Sequence, residues 1–575
     1  MPVRNADIAA VFEEIADILE VEGANPYRIR AYRNAGRTVG AYGQDIAALL
    51  AGGGTLPKLP GIGEDLSAKI GEIAATGTCA LRQRLRREVP PTLVALMQVA
   101  GIGPKRAKLL YHDLGIETAA ELLQAARNGL LRRVHGFGEK TERKLADALK
   151  AQLAPSRRLP IAHAAAAIED LLAALRDCAG VRSVTVCGSF RRMRDTVGDV
   201  DLLAVSEQPA AAMRCFAGHA SVREVVAQGP ARATVTLRSG LQVDLRVIAP
   251  ESAGAALVYF TGSKAHNIAI RRIAQQRGLK INEYGVFRGT RRIAGDTEAS
   301  VYRAIDLPFI APELRENRGE IDAAARGRLP QLIERGDLRG DLHVHTRSSD
   351  GTAELAAMAE AARAAGLEYL AITDHSQHLR IAHGLDEKRL LRQMNEIDAL
   401  NERLKGITLL KGVEVDILED GRLDLPDRVL ARLDLVVGAV HSHFGLSRRQ
   451  QTRRLQRALA HPHMHVLAHP GCRLINEREP IDIDMAAVIA AAAQHGRWLE
   501  LNAQTQRMDL AERDCEQART QGVLISIASD AHGPRDFQWL HYGVGQARRA
   551  GLGAADVVNT RPLAALRRLL RAVPR

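Results

Sequence analysis

Apolar residues recur every three or four positions through AAVFEEIADILEVEG and ETAAELLQAARNGLLRRV, the spacing of helices with one buried face. Before residue 155 no strand-like run interrupts this pattern, and glycine pairs punctuate it. APSRRLP at 154–160 marks a boundary. Beyond it, helical stretches alternate with the β-branched runs SVTVCGS, VGDVDLLAVS, ATVTL and QVDLRVIA, which predict a mixed α/β region. Residues 306–339 read as a connector with a helical middle and proline ends. From Asp341 onward seven apolar runs end in polar residues: DLHVHT, EYLAITDH, ITLLKGVEV, LDLVVGAVHSH, HVLAHPG, RWLELN and VLISIASDAH. Most are separated by helix-length stretches. A βα barrel gathers the carboxyl ends of its parallel strands on one face, so this segment predicts a distorted seven-stranded barrel.

Composition narrows the picture. The chain has 575 residues, 46% of them hydrophobic and 25% charged, enough for several globular domains. No run of eighteen apolar residues occurs, and the first twenty residues are acidic where a signal peptide would be apolar, so a cytoplasmic protein without membrane contact is expected. The six cysteines are scattered without a CxxC pair and read as reduced structural thiols. Any metal is then held by histidine and carboxylate.

Residues 1–312 carry 42 Lys+Arg against 31 Asp+Glu, whereas 313–575 carry 37 against 36, so nearly all of the +12 net charge lies in the first half. That half suits a polyanion partner, or has merely a basic soluble surface. Fourteen of the 19 histidines lie between His343 and His541, well above uniform scatter, and point to a metal site.

Three segments share apolar-Gly-apolar-Gly before a helix: LPGIGEDLSAKI, AGIGPKRAKLL and VHGFGEKTERKL. Their glycines (Gly61, Gly63, Gly101, Gly103, Gly136 and Gly138) permit tight hairpins and let backbone N–H groups approach a phosphate beside a helix N-terminus. Two are followed by lysines: Lys105 and Lys108, then Lys140 and Lys144. This is the helix-hairpin-helix route to sequence-blind DNA binding. The competing reading is a hairpin that only packs helices.

In CGSFRRMRDTVGDVDLLAVS, Asp199 and Asp201 are two apart in an apolar run and so share one face of a strand. Asp244 lies in GLQVDLRVIA, which the Ser239-Gly240 turn makes a hairpin partner of ATVTLRS. Three converging carboxylates suit two Mg²⁺ ions that activate a 3′-hydroxyl and clamp a triphosphate. Gly188 and Ser189 sit at a strand-to-helix turn, and Arg191 and Arg192 can neutralise a leaving pyrophosphate. A satisfied Asp/Arg surface network is the bland alternative.

With these motifs the sequence resembles family X DNA polymerases, DNA polymerase beta among them. The resemblance implies a nucleotidyltransferase palm in which Asp199, Asp201 and Asp244 are the metal-binding catalytic carboxylates, with Gly188, Ser189, Arg192 and Gly198 around the triphosphate. ALVYFTGSKAHNIAIRRIAQQRGLKINEYGVF is similar to the family's thumb. There Tyr259, Phe260 and Gly262 match the turn lining the deoxyribose pocket, and Asn267 and Arg271 match residues facing the nascent pair's minor groove. Lys264 and His266 stand where polymerase beta has Asp and Phe, and Gln242 replaces an Arg, so nucleotide affinity and primer positioning are expected to differ. Lys69 occupies the lyase nucleophile's position, yet Asp65 stands at a neighbouring lysine's place. Lyase chemistry and a plain DNA contact both stay open.

His343, His345, Asp350, His375, Glu414, His441, His469, Asp530 and His532 fall at the ends of the late strands. Nine N/O ligands suit two or three ions, and imidazole with carboxylate favours Zn²⁺, Mn²⁺ or Fe²⁺. HxH, TDH, GxE, VHSH, AHPG and SDAH in this order resemble the PHP family of phosphoesterases, with every expected ligand position filled. His378, His383 and His443 are candidates for substrate contact, whereas His461, His463 and His465 read as surface or packing residues.

The expected protein is multidomain: an α-helical helix-hairpin-helix region, an α/β palm with a thumb, and a C-terminal (β/α)7 PHP barrel. The boundaries expected are 1–90 and 91–155 for two helical DNA-binding domains, 156–250 palm, 251–312 thumb, 313–338 linker and 339–575 PHP domain. The resemblance implies a monomeric, nucleoid-associated repair polymerase with Mg²⁺ or Mn²⁺ in its palm, acting on gapped or primer-template DNA and dNTPs. Its PHP module implies a 3′-5′ exonuclease, with AP endonuclease or 3′-phosphatase activity as a further option. The rivals are a small-molecule phosphatase tethered to DNA by an inactive half, and a non-catalytic DNA-binding scaffold.

Overall fold

The computed structural model describes residues 5–40, 46–51, 55–56, 58–88, 102, 104–116, 118–134, 137–139, 141–143, 145–146, 149 and 158–572. Two compact units result, Met1–Arg157 and Arg158–Arg575. Among the described residues no helix is long and apolar enough to cross a membrane.

The first unit holds helices α1 (Asn5–Glu22), α2 (Pro26–Gly40), α3 (Ile46–Ala51), α4 (Glu64–Thr76), α5 (Ala80–Glu88), α6 (Pro104–Leu114) and α7 (Ala119–Arg127). Its described residues include no strand. The apolar spacing acts as expected: Ile8, Phe12, Ile15 and Leu19 bury one stripe of α1 against Tyr32 and Val39 of α2. A second cluster gathers Ile102, Leu110, Leu122, Leu131 and Phe137. Thr118 and Glu121 form a reciprocal cap that starts α7.

In the second unit, β1 (Leu159–Pro160) leads into α8 (Ile161–Arg176), β2 (Val181–Val186), α9 (Gly188–Arg191), β3 (Thr196–Val197) and β4 (Val200–Ser206). Then come α10 (Pro209–Ala217), β5 (Val222–Gln228), β6 (Arg232–Leu237) and β7 (Gln242–Ile248). Five strands form one sheet in the order β2-β4-β7-β6-β5, in which β4 and β7 run parallel. Ile168, Leu171, Met213 and Phe216 from α8 and α10 cover it, burying Leu202, Val235 and Leu245. Helices α11 (Ala253–Thr261), α12 (Lys264–Gln276), α13 (Glu298–Arg303) and α14 (Glu320–Ala325) follow, with the hairpin strands β8 (Lys280–Asn282), β9 (Gly285–Arg288) and β10 (Arg291–Ala294) between α12 and α13.

The expected linker is held along its length. Arg315, completely buried, donates to Glu298 at 2.7 Å and to the Ile310 carbonyl at 2.9 Å. His266 lies buried between Glu320 at 2.6 Å and the Tyr302 hydroxyl at 2.9 Å, which ties α12 to α14. A buried charge persists only where such partners exist, so these contacts fix the segment in place.

The remaining strands, β11 (Gly340–Val344), β12 (Tyr369–Ile372), β13 (Thr408–Asp416), β14 (Leu435–Ala439), β15 (Val466–Leu467), β16 (Trp498–Asn502) and β17 (Ile525–Ala528), are parallel neighbours in sequence order. A bridge between Val344 and Ala531 brings the first strand to the last and nearly closes a barrel. Around it lie α15 (Leu355–Ala364), α16 (Glu387–Asn401), α17 (Asp427–Leu430), α18 (Arg448–Leu459), α19 (Met485–His495), α20 (Glu512–Thr520) and α21 (Leu540–Arg549). Inward Leu342, Ala371, Leu410, Val437 and Val466 pack with Leu566 and Leu570 of the last helix, α22 (Leu563–Ala572), which stops the end of the barrel away from the candidate metal ligands, beside His463 and His465.

Candidate active sites

The parallel register of β4 and β7 places Asp201 directly opposite Asp244, and Asp199 lies two residues ahead on the turn entering β4. Asp244 accepts from Thr234 at 2.5 Å and from Gln242 at 3.1 Å. Burial, and then the charges of Asp199 and Asp244, push the Asp201 carboxyl up to about 6, against the pull of Arg246 and Arg192. A carboxyl raised by its carboxylate neighbours sits in a site short of positive charge, so the donor set fits divalent cations.

Gly188 has φ +61°, and a Cβ there would stand 2.5 Å from Asp201 Oδ2, so only glycine lets the turn approach the carboxylates. Ser189 follows it on α9. Arg191 departs from the sequence expectation: both its arms go to Glu298, at 3.0 and 2.6 Å, and one also donates to Thr261 at 2.8 Å. Arg192 bonds Glu316 at 3.0 Å and the Thr261 carbonyl at 2.8 Å. Gly198 is exposed one residue before Asp199.

At the far side, the Tyr259 and Phe260 rings meet edge to face at 4.9 Å, with Arg271 over Tyr259 and Arg246 over Phe260, each at 4.7 Å. Asn267 donates to the Tyr259 carbonyl at 2.6 Å. A Cβ on Gly262 would meet Asn267 Oδ1 at 2.8 Å, which explains the small residue there.

In the first unit, Gly61 and Gly63 face open space, and α4 begins at Gly63 with no side-chain cap on its free N–H groups. A groove of about 820 Å³ beside them is lined by Arg28, Tyr32, Asp65, Lys69 and Arg84. The Lys69 amine pairs with Asp65; burial lowers its pKa, but that bond and charge raise it above the usual lysine value. Gly138 is likewise open. Gly101, Gly103, Gly136 and Lys140 lie outside the described residues, as does the side chain of Lys105.

The nine candidates of the barrel converge at the carboxyl ends of its strands. His343 and His345 both reach the site from the β11 edge, where a register shift between Asp341 and Val344 breaks the strict alternation that would set His343 opposite inward Leu342. Three overlapping sets (His345, Asp350, His375 and His532; His343, His345 and Asp530; His375, Glu414 and His441) each place their donor atoms within 4.8 Å of one another. Glu414 is central, 2.8 Å from His375, 3.0 Å from His469, 3.3 Å from His441 and 3.4 Å from His343. Burial opposes its ionisation, yet His375, His343 and His441 hold it well below the usual carboxylate range. Burial lowers the His375 pKa, but Glu414 and Asp350 push it up to about 10, while burial and the neighbouring His532 and His375 bring His345 down to about 4.

His343 Nε2, His345 Nδ1 and Nε2, His375 Nδ1 and Glu414 Oε2 are buried without a hydrogen bond. Ring nitrogens and a carboxylate oxygen crowded in the interior without a satisfied hydrogen bond are costly unless a cation lies among them, so the cage fits a metal cluster.

Several residues that the sequence reading missed orient these donors. Glu500 accepts from His343 Nδ1 at 2.6 Å and from the His469 N–H at 2.8 Å. Asp416 bonds His441 Nδ1 at 2.7 Å, and Asn502 donates to Asp530 at 3.0 Å. The Asp374 carboxylate, beside His375 in sequence, bonds none of the nine ligands and instead draws in Thr346, Ser349 and Gln393. Carboxylates inside the runs WLELN and GVEVD were the available signal. His378, His383 and His443 are exposed in loops after β12 and β14, whereas His461, His463 and His465 are half-buried around Pro462, His461 accepting from the His463 N–H and His465 from the Val436 N–H of β14.

Four segments of the chain match known protein families. Residues 3–79 match the helix-hairpin-helix domain, 93–151 the SAM-like helix-hairpin-helix tandem, 256–316 the DNA polymerase beta thumb and 341–503 the PHP domain. The DNA polymerase/3'-5' exonuclease PolX of Bacillus subtilis (strain 168) is 35% identical over 98% of this chain and 98% of its own length. A probable phosphatase of Thermoanaerobacter sp. (strain X514) is 32% identical over 38% of this chain and 89% of its own length. Another, from Syntrophotalea carbinolica, is 32% identical over 38% of the chain and 90% of its own length. With both halves accounted for by one relative of equal extent, the chain belongs to the bacterial PolX family, polymerases of family X with a C-terminal PHP domain.

Proposed function

We propose that this protein is a DNA-directed, gap-filling repair polymerase whose PHP domain is a metal-dependent 3′-5′ exonuclease. What carries the reading is the coexistence, in one chain, of a carboxylate cluster on neighbouring strands and an imidazole cage at a barrel mouth. Asp199, Asp201 and Asp244 hold Mg²⁺ or Mn²⁺, and the nine barrel ligands hold two or three ions of Zn²⁺, Mn²⁺ or Fe²⁺. When bound, these ions activate the attacking hydroxyl or water and neutralise phosphoryl oxygens.

The protein's own groups supply orientation. Gly188, Ser189, Arg192 and Gly198 cradle the triphosphate, while Tyr259, Phe260, Gly262, Asn267 and Arg271 shape the sugar pocket and read the nascent pair's minor groove. The hairpin glycines, with Lys105 and Lys140, bind DNA backbone without regard to sequence. At the barrel, Glu500 and Asp416 fix the ring orientation of His343 and His441 so that the opposite nitrogen faces inward. AP-endonuclease and 3′-phosphatase activities use the same phosphoester chemistry and belong to this reading. So do a cytoplasmic, nucleoid-associated location and a monomeric state. A tethered phosphatase is not favoured, because the phosphatase relatives span only 38% of the chain and PolX spans 98%.

One gel tests both sites: gapped DNA with dNTPs and Mg²⁺ or Mn²⁺. Asp199→Ala is expected to abolish extension and leave degradation intact, and His343→Ala to do the reverse. Extension by the first variant, or full degradation by the second, refutes the assignment.

A further inference from the structure

The turn that approaches the palm carboxylates is gripped from the barrel. Arg549, the last residue of α21 and 4% exposed, donates to the Arg192 carbonyl at 2.6 Å and to Glu316 at 3.1 Å. Its other arm pairs with Glu512 of α20. One turn earlier, buried Gln546 donates to the Met193 carbonyl at 2.5 Å. Arg473, four residues after the candidate ligand His469, pairs with Asp195 at 3.1 Å.

The bonds from Arg549 and Gln546 to the Arg192 and Met193 carbonyls meet consecutive backbone groups, so these two define the path of the chain rather than the identity of its side chains. Met193 occupies the left-handed region at φ +55°, a conformation that a non-glycine residue keeps only where its surroundings impose it. Gly545 is part of that imposition, since a Cβ there would stand 2.3 Å from Met193 Cε. Glu316 is shared: it accepts from the Arg192 side chain at 3.0 Å as well as from Arg549. The guanidinium beside the carboxylate cluster is thus set from both its ends by groups beyond the palm. On its other face α21 packs tightly through Gly543, where a Cβ would lie 2.7 Å from Ala503 and 2.8 Å from Ile527, on the strands that end near Asn502 and Asp530.

We propose that Arg549 and Gln546 are positioning residues for nucleotide addition, through which the PHP barrel completes the triphosphate-binding turn of the polymerase. This rests on reading residues 188–192 as the triphosphate cradle. The barrel's contribution is ground-state order: with the grip gone, Arg192 samples orientations that no longer suit a triphosphate, and substrate binding bears the loss.

The test is steady-state single-nucleotide addition to gapped DNA with Mg²⁺, using the full-length chain. Gln546→Leu removes the donor with little change of volume, and Arg549→Met removes the fork. Each is expected to raise the KM for the incoming dNTP roughly tenfold, the loss of one or two hydrogen bonds, with kcat within about twofold. Arg549→Lys keeps one donor and is expected to restore most of the difference. Exonuclease activity with Mn²⁺ stays within about twofold in all three. Arg548→Met serves as control, because Arg548 ties the barrel to Glu313 at 2.6 Å without touching the turn, and its nucleotide KM is expected to match the wild type.

An unchanged KM in Gln546→Leu overturns the proposal, as does an equal rise in Arg548→Met, which would mean that any loosening of the two halves suffices. If Arg549→Met loses both activities through misfolding, Gln546→Leu decides alone. Failure of the wild type to extend at all would instead remove the polymerase reading itself.

Discussion

Asp201→Asn should make the metal-free protein more stable while destroying its polymerase activity. In the wild type, burial and two neighbouring carboxylates raise this group from 3.8 to about 6. A shift of that size corresponds to a folded-state penalty of about 3 kcal/mol above pH 6. The sign follows from the direction: the folded pKa exceeds the unfolded one, so the penalty is fully present above about 6 and disappears as pH falls toward 3.8.

An amide has no charge to desolvate and relieves most of that penalty. Spread over the large second unit, about 3 kcal/mol amounts to a rise of about 3 °C in the unfolding transition. The assay is calorimetry in EDTA at pH 7.5 and at pH 4, with a third scan in excess Mg²⁺ at pH 7.5. The gain is expected in the first condition and gone in the second. In Mg²⁺ the order reverses, because the cation stabilises only the intact carboxylate set. A variant no more stable than wild type in EDTA at pH 7.5 would show that the three carboxylates do not repel one another. A gain that persists at pH 4 would show that charge is not its cause.

The barrel offers parallel tests. Glu414→Gln, at the centre of the cage, is expected to lower bound metal measured by mass spectrometry and to reduce exonuclease activity at least about a hundredfold, with primer extension intact. Glu500→Gln touches no metal in this reading but frees the His343 ring, so exonuclease activity and metal affinity should fall about 10–100-fold. Borohydride trapping on abasic-site DNA should yield no Lys69 adduct near pH 7, because the ion pair with Asp65 holds the amine and must break before it can attack. Lys69→Ala should still weaken DNA binding a few-fold, by gel shift.

Local sequence determined a good deal. The apolar run after Asp199 predicted β4, although Asp199 itself falls on the turn entering that strand and not within it; the Ser239-Gly240 turn fixed β6 and β7 as hairpin partners, in the register that sets Thr234 against Asp244. Seven apolar runs with polar ends sufficed to order the barrel strands, since parallel neighbours in a βα series follow the chain. The histidines were legible only as a group: one at a strand end is usually a hydrogen-bonded structural residue, whereas nine N/O side chains at the ends of successive strands gather on one face of a barrel.

What local sequence could not decide was partnership across distance. His343 and Glu500 are 157 positions apart, and no periodicity links them. The two arginines after Ser189 looked alike in sequence, yet one is committed to Glu298 and the other shares Glu316 with Arg549, 357 positions beyond it. Spacing along a strand or helix reports which face a side chain takes. The identity of the charge waiting on that face depends on how remote segments pack, because a buried ion is tolerated only where tertiary structure brings it a partner.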